Sequence, residues 1–188
     1  VVYADDFIAG FQYPWEAERF YEQLRSRMAK FGLELEENKS RIVESGRYLA
    51  SLKAKRGEST RLGTFDFLVF TFYCGRTTKG NPWIMPKTSS KKFRQKVKEI
   101  KIWLYNNKEQ KLGKLMYMLN VKLVGHYRYY GISFNSRMIS NYKQQVRELL
   151  YKVLNRRSEK KSYTREGFIE MMKYYKLVNP KIYYSLFC

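Results

Sequence analysis

Cysteine and histidine are nearly absent from this chain. Cysteine occurs twice, at Cys74 and Cys188, and histidine once, at His126. Two cysteines make neither a disulfide framework nor a zinc site, and a reducing compartment is the simpler expectation. A single histidine excludes a multi-histidine metal cluster. No run reaches the roughly 18 apolar residues of a membrane span. No signal peptide precedes the first element; the chain begins directly in a strand-like segment without Met, which is the expectation for a piece of a longer protein.

Acidic residues are the next scarcity, and it is local. Over the 188 residues, 37 Lys and Arg face 17 Asp and Glu, a formal charge of +20. Residues 1–75 hold 11 of each sign, whereas residues 76–161 hold 22 basic and 4 acidic side chains, a local charge of +18. A neutral stretch joined to a very basic one implies two modules, the second suited to a polyanion. Nucleic acid is the favoured polyanion, and an anionic membrane surface is its competitor. Hydrophobic residues make up 44% of the chain, enough for a sizeable core.

The first eleven residues, Val1-Val2-Tyr3-Ala4-Asp5-Asp6-Phe7-Ile8-Ala9-Gly10-Phe11, read as strand, tight turn, strand with two carboxylates at the tip. Adjacent carboxylates repel unless a cation lies between them, and Mg2+ uses one or two carboxylates together with substrate phosphates. Pro14 suits the first turn of a helix. Phe20, Leu24, Met28 and Phe31 form its apolar stripe, expected to pack on a sheet, and Gly32 stops it. Leu33 and Leu35 alternate like a short strand, Glu36-Glu37-Asn38 is a turn, and Ile42-Val43 resumes a strand. Residues 45–63 read as a connecting excursion. Phe65 to Cys74 is a β-rich run, Gly75 to Gly80 a turn, and Asn81 to Pro86 a return strand.

The basic module begins with an amphipathic helix capped by Ser89 or Ser90. Phe93, Val97, Ile100 and Leu104 mark its apolar face, and Lys91, Lys92, Arg94, Lys96, Lys98 and Lys101 stand on the other. Ordinary solvated faces mix signs, and here only Glu99 interrupts, so these cations are candidates for phosphate contact. A second helix is predicted from Leu112 to Tyr130, on Leu112, Leu115, Met116, Leu119, Leu123 and Tyr127. A third runs from Ser136 to Arg157, capped by Asn135-Ser136, on Ile139, Tyr142, Val146, Leu149 or Leu150, and Val153. Three helices with short loops suggest a small bundle. Arg128, Lys143, Arg147, Arg156 and Arg157 extend the set of candidate RNA-binding cations. His126 reads first as a packed helix residue, and Tyr127, Tyr129 and Tyr130 as interface aromatics before base-stacking platforms. Ser158 to Ser162 is a polar linker. Thr164 caps a short helix with Phe168, and Lys181 to Phe187 is an apolar closing segment expected to pack back.

Four blocks, in order, resemble one family. Tyr3-Ala4-Asp5-Asp6-Phe7 resembles the catalytic palm motif of reverse transcriptases, in the form found in group II intron enzymes. Gly32-Leu33-Glu34-Leu35 with Lys39-Ser40 resembles the block Gly-Leu-x-Leu-x-x-x-Lys-Thr, with Ser40 in place of Thr. Phe65 to Phe70 resembles Phe-x-Phe-Leu-Gly-Phe, which leads into the primer grip, with Val69 where Gly is usual. Leu119 to Gly131 resembles the group II intron maturase-specific region, with Val124 in place of the Arg before Gly. His126 leans that pattern towards the bacterial group IIC type.

The resemblance implies an α+β chain: a partial palm over residues 1–86, an α-helical thumb and maturase region over 87–161, and a C-terminal helix and tail over 162–188. It implies an RNA-directed DNA polymerase that binds intron RNA and assists splicing, by two-metal Mg2+ chemistry. Asp5 and Asp6 would be catalytic metal ligands, Lys39 a stabiliser of the nucleotide's phosphates, and Tyr3, Phe67, Leu68 and Phe70 contacts to primer or template. The implied partners are group II intron RNA, an RNA template with DNA primer, and dNTP, with no membrane, in a bacterial cytoplasmic ribonucleoprotein. The family's third aspartate belongs to an earlier strand, so these 188 residues alone are expected not to polymerise. The alternative is a non-catalytic splicing factor with a vestigial palm. The sequence leaves the oligomeric state open.

Overall fold

The computed structural model describes residues 1–36, 39–57, 62–157 and 162–186. Two compact units divide at Met85 and Pro86, and the second, Pro86–Cys188, takes in the C-terminal helix that the sequence reading sets apart.

In the first unit, strands β1 (Val2–Tyr3) and β2 (Asp6–Phe7) form an antiparallel hairpin in which Tyr3 pairs with Asp6. Its two-residue turn has Ala4 at φ 49, the left-handed geometry that tight hairpins require. Helix α1 (Pro14–Ala29) starts with Pro in its first turn, and the Glu16 carboxylate accepts the Gln12 and Tyr13 N–H groups at 3.3 and 3.2 Å. Gly32, at φ +69, closes it: the Gly32 N–H reaches the Ala29 carbonyl and the Leu33 N–H the Met28 carbonyl. Phe20 meets the rings of Phe7 and Phe11, but no residue of the helix is buried, contrary to the expectation of a stripe covered by a sheet.

The stretch after α1 departs from expectation. Leu33–Leu35 and Ile42–Val43 form no strand, because no described segment pairs with them. Part of the turn at Glu36-Glu37-Asn38 lies outside the described residues. The connecting excursion contains a helix, α2 (Arg47–Lys55), with the Lys53 ammonium 3.2 Å from the Glu44 carboxylate. The run from Phe65 is not one strand. It folds at Leu68-Val69 into β3 (Phe65–Phe67) and β4 (Phe70–Arg76), which pair antiparallel, and β5 (Pro82–Thr88) completes a three-stranded sheet in chain order. Leu68 takes the left-handed conformation, φ 57, one position before the Val69 that replaces the expected glycine. Stacked Phe65 and Phe72 and the Thr71 hydroxyl, which donates to Asp66, join the two strands.

The second unit contains most of the buried apolar side chains. Helix α3 (Ser90–Asn106) is capped by the Ser89 hydroxyl, which accepts the Lys92 N–H. Helix α4 (Leu112–Tyr130) buries Leu115, Met116, Leu119, Leu123, Tyr127 and Tyr130. Helix α5 (Ser136–Leu154) buries Ile139, Tyr142, Val146, Leu150, Val153 and Leu154, and ends three residues before the predicted Arg157. Both α3 and α4 pack on α5. Each buried Leu or Val contributes about 1.5–3 kcal/mol relative to exposure. Helix α6 (Arg165–Tyr174) is capped by the Thr164 hydroxyl and buries Phe168.

Asparagines tie the connecting segments to this bundle. The Asn135 side chain does not cap α5. It accepts the Thr88 N–H and donates to the Thr88 hydroxyl and the Tyr130 carbonyl, each at 2.8 Å. Asn120 donates to the Lys176 carbonyl and accepts the Val178 N–H. Asn155 brackets both backbone groups of Tyr163. The closing segment returns as expected: the Tyr183 and Tyr184 N–H groups donate to the Gly131 carbonyl, and Ile132 and Tyr184 form a parallel bridge. An added Cβ at Gly131 would lie 2.2 Å from the Tyr127 oxygen and 2.5 Å from that of Lys181, so only glycine admits the tail there. Phe187 and most of the linker, residues 158–161, lie outside the described residues.

Candidate nucleic-acid interface

The amphipathic pattern of α3 separates its two faces. Ile100 and Leu104 are buried and Phe93 and Val97 half-buried, while Lys91, Arg94, Lys98 and Lys101 stand exposed. Lys91, Lys98 and Lys101 form no ion pair among the described residues, and the Arg94 guanidinium donates to the Ser90 carbonyl at 3.2 Å. Such a row presents several ammonium groups to successive phosphates at no cost in broken pairs.

The other candidate cations sort by what already holds them. Lys96 lies 2.7 Å from the Glu99 carboxylate, and that bond holds Glu99 below the usual carboxylate range. Lys92 is half-buried beside the same carboxylate. The Lys143 ammonium donates to Asn179 at 2.6 Å, and burial, then Arg147, lowers its proton affinity. Arg157 donates to the Gln110 carbonyl at 2.6 Å, and Arg156 bonds the Tyr105 hydroxyl and lies over its ring. Arg128 and Arg147 are exposed without an ion pair among the described residues. The free set is therefore Lys91, Lys98, Lys101, Arg128 and Arg147, and Lys96, Lys143 and Arg157 also hold the fold together.

His126 belongs to the packing. Its ring stacks on Tyr142 of α5 at 3.7 Å between centroids and lies 4.5 Å from Tyr130. Burial, with the Lys96 ammonium second, pushes its imidazole down to about 4, so it is neutral at pH 7 and offers no charge to a phosphate. Tyr127 and Tyr130 are buried, 1% and 2% exposed, whereas Tyr129 is 61% exposed, with its ring edge-on to Tyr130 at 4.8 Å between centroids. Burial raises the proton affinity of the Tyr127 and Tyr142 hydroxyls well above the usual phenol range. Sequence reading missed Lys122, whose ammonium lies 5.0 Å over the Trp103 ring, and Tyr117, which is 71% exposed. The signal was available, since a stripe on Leu119, Leu123 and Tyr127 turns Tyr117, Lys122, Gly125 and Tyr129 outward.

In the first unit, Asp5 occupies the hairpin turn and Asp6 opens β2, both exposed. Among the described residues no third Asp, Glu, His or Cys joins them in a group able to hold a metal ion. Two carboxylates are an incomplete ligand set for two Mg2+ ions. Lys39 lies exposed in a turn, its N–H on the Glu36 carbonyl, with no bond to either aspartate among the described residues. Tyr3 is exposed on β1. Phe67 and Phe70 flank the β3–β4 turn, and Leu68, 45% exposed, is its tip. Among the described residues no helix is long and apolar enough to cross a membrane.

No curated protein and no solved structure matches the chain. Residues 90–175, a little under half of it, match the model of one family, the maturase-specific domain of group II introns. The matched stretch begins with α3 and ends just after α6, so it includes the cationic row, His126 and the free arginines. The match supports a group II intron maturase, and a domain of that kind implies binding of group II intron RNA.

Proposed function

We propose that the second unit holds group II intron RNA through the exposed cations of α3, with Arg128 and Arg147, and thereby assists splicing of that intron. The observation that carries this reading is the row Lys91, Arg94, Lys98 and Lys101, free of ion pairs among the described residues, inside the stretch that matches the maturase-specific domain. Phosphate contacts position an RNA without reading its sequence, so specificity on this reading comes from RNA shape and from exposed aromatics such as Tyr129. The test is filter binding of an in vitro group II intron transcript across a salt series, with splicing of the same transcript. Changing Lys91, Lys98 and Lys101 to Gln should flatten the slope of log K against log salt by about 0.7–0.9 for each phosphate that is no longer neutralised. An unchanged slope would refute the assignment.

The first unit supports a second, finer reading. A Tyr-Ala-Asp-Asp hairpin followed by the β3–β4–β5 sheet suits the palm end of an RNA-directed DNA polymerase, with Asp5 and Asp6 as Mg2+ ligands, Lys39 near the nucleotide phosphates, and Tyr3, Phe67, Leu68 and Phe70 near primer and template. The hairpin turn that presents both carboxylates supports it. On this reading the 188 residues alone do not extend a primer, and extension by the purified chain would overturn that statement. In a longer polymerase containing this chain, Asp5→Ala and Asp6→Ala should each abolish extension.

A further inference from the structure

Gly125 lies in the interior of α4, where the fold gives no reason for a glycine. Its φ is not positive, it is not at a helix end, and a Cβ built on it would meet nothing within 4 Å. An interior helical glycine is the most unfavourable residue after proline, and here no neighbour among the described residues requires it. The effect is a bare stretch of helix backbone on the surface. Its neighbours three and four positions away are Val121, Lys122, Arg128 and Tyr129. All four are exposed, Val121 at 55% and Tyr129 at 61%, and Lys122 is held over Trp103. The hollow thus has a cation on each side along the helix axis, an aromatic ring at one end and no acidic residue among its four walls.

We propose that this hollow seats the sugar–phosphate backbone of a bound RNA strand, with Lys122 and Arg128 on flanking phosphates and Tyr129 against a ribose or base. Charge complementarity selects the occupant: the surrounding stretch, residues 76–161, carries +18. Absence of a side chain permits the close approach that a ribose needs, and an aromatic beside cations suits an RNA strand better than an apolar protein helix. The inference rests on the RNA-binding reading above and adds a second contact surface, on α4, to the row on α3.

The test compares Gly125→Ala and Gly125→Gln in the full 188-residue chain, with an in vitro group II intron transcript as probe. Both substitutions favour the helix, so the melting temperature should hold or rise, by about 2–4 °C for the alanine variant. Affinity should fall nonetheless, with Kd up at least about fivefold for Gly125→Gln, and ribose protection at one transcript segment, read by hydroxyl-radical footprinting, should vanish. A smaller change with an intact footprint would overturn the proposal and leave the hollow to a protein partner, while the α3 cations could still bind RNA. Failure of the unsubstituted chain to bind the transcript would instead refute the underlying reading, so the two failures are distinguishable.

Discussion

Asn135 is the most buried polar residue among those described, and replacing it by alanine should destabilise the second unit. The side chain is fully buried, at 0% exposure, and Thr88 beside it is 2% exposed. Truncation removes the acceptor of the Thr88 N–H and the donor to the Thr88 hydroxyl. It also removes a donor to the Tyr130 carbonyl, which keeps the Ile132 N–H at 2.9 Å. Two groups are therefore orphaned, at about 1–3 kcal/mol each, and water admitted to the vacated space recovers part of this. The expected loss is about 2–4 kcal/mol in equilibrium urea unfolding followed by circular dichroism. Asn135→Asp is the sharper variant. It keeps the acceptor for Thr88 but places a carboxylate against the Tyr130 oxygen in a buried site. Its deficit relative to the unsubstituted chain should be larger at pH 7 than near pH 4.5, where protonation restores a donor. Should Asn135→Ala unfold within about 1 kcal/mol of the original chain, the amide is not the tie described here.

Two further perturbations have signed outcomes. Gly131→Ala forces a methyl against two backbone oxygens that cannot swing aside, so it should destabilise the unit by about 1–3 kcal/mol and raise hydrogen exchange at Tyr183 and Tyr184. Unchanged exchange there would contradict the packing of the tail on Gly131. His126 titrates near 4 in the folded chain against an ordinary value of 6.5, so the unfolded chain binds the extra proton first. Stability from this site is fully present above about pH 6.5, falls as pH drops towards 4, and the deficit below that approaches about 3 kcal/mol. The groups facing the ring are Lys96, Tyr127, Tyr130 and Tyr142; burial raises the proton affinity of the three tyrosine hydroxyls, so His126→Phe should flatten this part of the pH profile. A profile of the same steepness in His126→Phe would assign the titration elsewhere.

The bundle was legible in sequence because three helices each carry an apolar stripe at helical period, and the stripes alone locate Leu104, Leu123 and Val146 in the core. What the stripes cannot encode is who bonds whom at long range. Asn135 reads as a local cap, since Asn before Ser-Arg-Met is a common helix start, yet its amide spans 47 residues to Thr88. The same limit affects the cations. Lys91 and Lys96 look alike in sequence, and only the fold shows one free and the other paired with Glu99. In the first unit, the pattern Leu33-x-Leu35 has the period of a strand, but a strand forms only where a second one pairs with it. The split of Phe65–Cys74 into two strands was hidden because Leu68 takes a left-handed backbone, which its residue type disfavours. The turn at Asp5 and Asp6 was legible because turn chemistry and hairpin register are local.

Charge and fold lie on opposite faces of the same helix in α3, and this has a thermodynamic consequence. A face of Lys and Arg without ion pairs among the described residues adds self-repulsion to the folded state, while the apolar face that opposes it packs in the bundle. Affinity for a polyanion can therefore be adjusted at Lys91, Lys98 or Lys101 with little loss of packing. The exceptions are cations held by partners: at Lys143 and Arg157 a substitution removes a bond to Asn179 or to the Gln110 carbonyl along with a charge. On the RNA-binding proposal, neutralisation relieves the repulsion and adds binding energy that favours the folded state to the extent that the unfolded chain binds more weakly. A chain built this way is least stable when empty at low salt and gains most from its ligand there, since counterion release and relief of repulsion both grow as salt falls.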